Sequence, residues 1–195
     1  MNNQQWTINN RQSSVTPSTD LGLRTSDYRP RTTKYELTCP METAEIIVYD
    51  KAKYHCGGQF PPDQTIEQAM VHTGMYLGWI IDTGLYSEEF AQDQAAIDAF
   101  KARTMTGPRV YQKHDGCFTG DMLNDEGNAF SQFYYDIEYG RYLADYEDTL
   151  CQNLPSLYHV KDTWENYNRI KAVIDTRFLG WKKKSGPKPW LFWKR

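Results

Sequence analysis

Residues 162–181 read DTWENYNRIKAVIDTRFLGW, and this stretch decides the fold class. Trp164, Tyr167, Ile170, Ile174, Phe178 and Trp181 recur at three- and four-residue spacing, so they line one face of a helix of about five turns. Asp162 or Thr163 stands where an N-cap is needed, and Glu165 follows Asp162 by three residues, as in a capping box. Such a helix draws most of its stability from burying its apolar face, so it calls for partner elements.

Working outward, those partners also read as helices. Residues 124–150, NDEGNAFSQFYYDIEYGRYLADYEDTL, carry rings at Phe130, Phe133, Tyr134, Tyr142 and Tyr146 that suit helix, with a break near Gly140. A short helix is expected after Thr106, because Pro108 is tolerated in a first turn, and it should stop by Gly116. The following GCFTGDML reads as a connector. From Asp63, with Asp63 or Thr65 as cap, Ile66, Ala69, Met70, Thr73, Leu77 and Ile80 repeat at helical spacing up to a stop at Gly84. Gly74 and Gly78 lie one turn apart inside that helix, at a cost of about 1 kcal/mol each against Ala, so another element should approach its backbone closely there. Ser87, Glu88 and Glu89 then start a helix carrying Phe90, Ile97 and Phe100. Before these, EIIVYD (45–50) is either a strand or a buried turn of helix, and YHCGGQFPPD is a turn signal. The reading is a mainly α, compact multi-helix domain of about five helices over residues 49–183. An irregular polar N-terminal arm (1–48) precedes it and a basic, Trp-containing tail (184–195) follows. Trp79, Trp164, Tyr167 and Phe178 are assigned to its core.

A chain of 195 residues suits one domain of ordinary size. Hydrophobic residues make up 39% and aromatic ones 14%, so rings must supply much of the packing area. No apolar stretch approaches the roughly 18 residues of a membrane span, and no signal peptide is visible in MNNQQWTINNRQSS. Cys39, Cys56, Cys117 and Cys151 are scattered, which fits reduced thiols in a cytoplasmic protein. The net charge of −3 hides a segregation. Residues 41–100 hold ten acidic and two basic side chains, and residues 115–148 hold nine acidic and one basic. Residues 181–195 hold six basic side chains and no acidic one. An acidic body repels nucleic acid and favours cationic partners. The basic tail could meet phosphate through Lys and Trp, but folding back on the acidic body is the preferred expectation.

No catalytic constellation emerges from spacing. His55 and Cys56 adjoin, with His72 beyond, yet the short-spaced ligand pairs of zinc sites are absent, so no metal and no cofactor is expected. His72, one turn before Tyr76, is read as a structural histidine hydrogen-bonded within an aromatic face. Cys117 near His114 and Asp115 lacks the strained elbow of a nucleophile. The carboxylate pairs Asp125 with Glu126 and Asp145 with Asp148 are read as solvated helix-surface groups. Gly57 and Gly58 lack the later Gly and Lys of a phosphate loop.

Four strings, YHCGGQFPPD, HTGMYLGWIID, GNAFSQFYYD and LYHVKDTWENYNRIKAVIDTRFLGWK, together resemble a family of small uncharacterised bacterial proteins. That family shares GG-x-FP, H-x-GM-x-L-x-W, GN-x-F and D-T-W-x-N-Y motifs, and the resemblance covers about residues 49–183. Its members are similar in size and character to the immunity proteins found beside bacterial toxins. The resemblance and the acidic charge therefore imply a non-enzymatic immunity protein that binds and occludes a cognate, basic toxin domain. Asp125, Glu126, Tyr135, Glu138, Asp145 and Asp148 are the expected contact residues, since rings and charges anchor interfaces. Two rival readings stand beside it. One is a small enzyme with its site at His72 and a nearby carboxylate, which a deep pocket holding both would favour. The other is a nucleic-acid-associated protein acting through the basic tail.

Overall fold

The computed structural model describes residues 46–56, 60–136 and 139–185. The expected arm and tail therefore lie outside the described residues, apart from positions 46–48 and 184–185. The domain is mainly helical, with seven α-helices among the described residues and a two-stranded sheet. The chain runs β1 (Val48–Lys51), α1 (Ala52–His55), α2 (Val71–Thr83), α3 (Gln94–Lys101) and α4 (Gly107–Lys113). It continues through β2 (Cys117–Thr119), α5 (Asp125–Tyr134), α6 (Tyr142–Leu150) and α7 (Trp164–Ser185). Among the described residues no helix is long and apolar enough to cross a membrane.

α7 forms as its periodicity predicts. Thr163 caps it, accepting the Asn166 N–H at 3.2 Å on its side-chain oxygen. Tyr167, Ile170 and Ile174 are buried, while Trp164, Phe178 and Trp181 pack half-buried against the same core. The partner they cover is α2, in which every residue from Val71 to Ile81 is buried. The sequence suggested one apolar stripe there; α2 instead runs through the middle of the domain and is covered on all sides. The two glycines explain how. A Cβ built on Gly74 would lie 2.3 Å from the Pro108 Cα, so α4 crosses α2 backbone to backbone. One on Gly78 would meet the Phe100 ring at 2.8 Å, which admits α3. Gly84, at φ +70°, ends α2 as expected. The Trp79 indole N–H, buried among rings, donates to Asp175 Oδ1 at 2.8 Å and ties α2 to α7.

Three elements differ from expectation. The segment from Asp63 begins as a 3₁₀ turn over Ile66–Met70, leaving Ile66 half exposed, before α2 proper. The helix after Ser87 starts later: a single 3₁₀ turn at Phe90–Gln92 precedes α3, which Asp93 caps by accepting the Ala96 N–H. The GCFTGDML connector contains β2, which pairs antiparallel with β1 in the register Val48↔Thr119 and Lys51↔Cys117. A strand of three residues is too short to leave an alternating pattern. β1 thereby resolves the strand-or-helix ambiguity of EIIVYD in favour of strand for its last residues.

Candidate functional site

The strand pairing positions a chemically dense region of the core. Asp50 sits on β1 and is buried, 4% exposed. The chain passes straight from β1 into α1, because the Ala52 N–H donates to the Gly116 carbonyl at 2.8 Å. Gly116, at φ +58°, permits this approach: a Cβ there would stand 2.8 Å from the Ala52 Cβ. One turn of α1 brings the His55 ring back over Asp50, with Nε2 at 2.9 Å from Oδ1 and 3.1 Å from Oδ2. The first turn of α2 contributes the other wall. His72 Nε2 lies 3.6 Å from Asp50 Oδ2. The Thr73 hydroxyl donates to the same oxygen, and Tyr135 OH, 2.8 Å from Thr73 Oγ1, completes the relay.

Each member is held by a further partner. His55 Nδ1 meets the Tyr158 hydroxyl at 3.2 Å, and the Tyr158 carbonyl accepts from Gln68 at 2.8 Å, which anchors that turn. The His72 carbonyl accepts the Tyr142 hydroxyl at 2.5 Å, and its ring stands edge-on to His55 with centroids 4.6 Å apart. His72 Nδ1, by contrast, is buried and has no hydrogen-bond partner. Burial pushes the His72 pKa down to about 4, outweighing the pull of the Asp50 charge, so its imidazole is neutral at pH 7. Burial acts on Asp50 in the opposite sense, but the His55 hydrogen bond, the pull of His72 once it is protonated at low pH, and the Thr73 hydrogen bond outweigh it and leave Asp50 below the ordinary carboxylate range. Tyr49, Tyr135, Tyr142 and Leu143 help to wall a cavity of about 140 Å³ over these three residues. Asp50, His55 and His72 can bring one ligand atom each to within 4.8 Å of the others.

Residues 48–160 match the model of a family described as Domain of unknown function (DUF7832), which is more than half of the chain. The chain belongs to that family. No curated protein and no solved structure matches it. All of the cluster lies inside the matched region, as do the two glycines that let α4 and α3 close on α2.

The six expected contact residues are not brought together as one surface. Asp125 and Asp148 are exposed, and Glu126 is ion-paired with Lys182 at 2.6 Å. Glu138 lies outside the described residues. Tyr135 and Asp145 correct the expectation, since both are buried, at 7% and 4% exposure, and neither can meet a partner. The Tyr135 ring packs among Tyr76, Phe118 and Tyr142. Asp145 accepts from Arg177 Nε at 2.7 Å and from the Tyr134 hydroxyl at 2.9 Å, so it is not a free acid beside Asp148. The His114–Asp115–Cys117 trio does not form a dyad: His114 lies against Phe90, and Cys117 Sγ faces the Asp115 carbonyl at 3.8 Å. Cys56 is exposed and its thiol meets the Ala52 carbonyl at 3.2 Å.

Sequence reasoning named His55 and His72 but missed Asp50, and it missed that the three converge. The available signal was a charged residue closing an apolar run, EIIVYD, one helical turn before a histidine.

Proposed function

We propose that the cavity over Asp50, His55 and His72 is the working site, and that the protein is a small enzyme acting on a compact polar substrate by hydrolytic or proton-transfer chemistry. The carrying observation is the combination of a buried carboxylate held below the ordinary range, two imidazoles beside it, and a cavity that all three residues line. His72 Nδ1, buried without a hydrogen-bond partner, adds an unsatisfied group that costs about 1–3 kcal/mol in the same place. Asp50 orients the imidazoles, while the Thr73 hydroxyl, itself held by Tyr135, helps to keep Asp50 fixed and ionised. A cavity of about 140 Å³ admits a substrate of only a few heavy atoms, or one reacting end of a larger molecule.

The test is an NMR screen of small carboxylates, amides and phosphates against the full chain. Binders that shift the ring signals of His55 and His72, with the shifts lost in Asp50→Asn, support the site. Binders that all perturb other regions contradict it.

A second reading keeps the immunity protein, acting in the bacterial cytoplasm on a basic toxin domain. It draws on the exposed Asp125 and Asp148, on the acidic segments 41–100 and 115–148, and on the motif resemblance. Co-elution with the product of the adjacent gene, undiminished by Asp50→Asn and lost with Asp125→Lys and Asp148→Lys combined, would favour it over the enzyme.

A further inference from the structure

We infer that Asp50, His55 and His72 form a three-ligand site for a divalent first-row transition metal of the zinc class, with an open position facing the cavity. The inference rests on reading that cavity as the working site and gives it a cofactor.

The geometry is that of one ion's ligand set. Ligand atoms on a tetrahedral zinc, bonded at about 2.0–2.1 Å, stand roughly 3.3 Å apart. His55 Nε2 lies 2.9 Å from Asp50 Oδ1, and His72 Nε2 lies 3.6 Å from Oδ2. The second distance is too long for a hydrogen bond and suits two ligands on a shared ion. The donors come from three elements, β1, α1 and α2, so the backbone holds them without cooperation from any flexible loop. Two imidazoles and one carboxylate form a donor set that suits zinc, iron or manganese and leaves room for water or substrate.

The surroundings are those that metal ligands need. With its proton on Nδ1, within reach of the Tyr158 hydroxyl at 3.2 Å, His55 would offer the Nε2 lone pair to an ion shared with Asp50. Thr73 donates to the carboxylate and Tyr135 holds Thr73, as outer-shell groups do at metal sites. A metal on His72 Nε2 would fix the proton on Nδ1, the nitrogen that has no hydrogen-bond partner. Bound there, the ion would supply an activated water beside the substrate.

The experiment uses the full chain, stripped of metal with a chelator, dialysed and titrated with Co²⁺. The expected result is stoichiometric binding with the visible bands of a four- or five-coordinate ion, displacement by Zn²⁺, and no thiolate charge-transfer band. Cys56→Ser should bind like the parent. His55→Gln, at a position that is partly exposed, and Asp50→Asn should each weaken binding by more than roughly 100-fold, the loss that outer-shell changes alone can reach, while circular dichroism reports an intact fold. No stoichiometric binding, or binding indifferent to both substitutions, overturns the metal site. In that case ligand-induced shifts of the His55 and His72 ring signals in the metal-free chain preserve the cavity reading, and their absence removes that reading too.

Discussion

Asp50 and Asp145 are equally buried, at 4% exposure, and are stabilised in opposite ways. Asp145, on α6, receives Arg177 in a two-pronged pair, Nε to Oδ2 at 2.7 Å and a terminal nitrogen to Oδ1 at 2.8 Å. Arg141 adds a contact at 3.4 Å and Tyr134 a hydroxyl at 2.9 Å. These guanidinium groups are charged at every accessible pH, so the desolvation of Asp145 is offset permanently, and the group clamps α5, α6 and α7 together. Among the described residues no guanidinium or ammonium group pairs with Asp50. Its partners are two imidazoles, one of them neutral at pH 7, and two hydroxyls. A fold that needed only to bury a carboxylate has the Asp145 solution at hand. Asp50 instead lies beside a cavity with imidazoles and hydroxyls for partners, and under the proposed function that difference separates a structural acid from a working one.

The largest effect expected from breaking this contrast is on Asp145. Asp145→Asn should lower unfolding stability by about 2–3 kcal/mol in urea melts, somewhat less than for a fully enclosed pair because Arg177 is half exposed, and should leave Co²⁺ binding unchanged. The Arg177 pair and the Tyr134 hydrogen bond outweigh burial and hold the Asp145 pKa below its ordinary value. Its contribution is therefore complete above the unfolded pKa of about 3.9 and is lost as pH falls through the lower folded value. The stability gap between parent and Asp145→Asn should accordingly shrink below about pH 4; a gap that is constant down to pH 2 would remove the ion-pair account. Asp50→Asn should cost less, about 1–2 kcal/mol, since an amide can keep part of the hydrogen bonding to His55 and Thr73, but it should abolish metal binding. His55→Gln should be the mildest, within about 1 kcal/mol in the same melts, with metal affinity again lost. A variant order in which Asp50→Asn destabilises more than Asp145→Asn would mean that Asp50 is the structural acid.

The sequence was most legible where a single element carried its own periodicity. The Trp164–Trp181 stripe, the cap at Thr163, the stop at Gly84 and the break before α6 could all be read locally, and Gly74 and Gly78 announced a close helix approach before any partner was known. β2 was not legible, because three residues paired across the chain leave no local signature. The burial of α2 on every side was hidden because helical spacing picks out one stripe, whereas residues between its members, such as His72, Tyr76 and Trp79, are buried as well. For the site, spacing rules search for ligands that are close in sequence. Here a strand, the helix directly after it and a distant helix supply them, and only the β1–β2 pairing and the Gly116 approach make them converge. Tyr135 and Asp145 were misread as surface because the interruption near Gly140 resets the helical phase, so that neighbours in sequence do not share a face.

The most direct test of the contrast between the two acids is an anomalous-scattering crystal structure of the chain soaked in Zn²⁺. The account predicts a single strong peak bonded at about 2.0–2.1 Å to Asp50, His55 and His72, with no ion at Asp145. A crystal that binds zinc only elsewhere, or leaves the space between the two imidazoles and Asp50 without a peak at saturating metal, would contradict it.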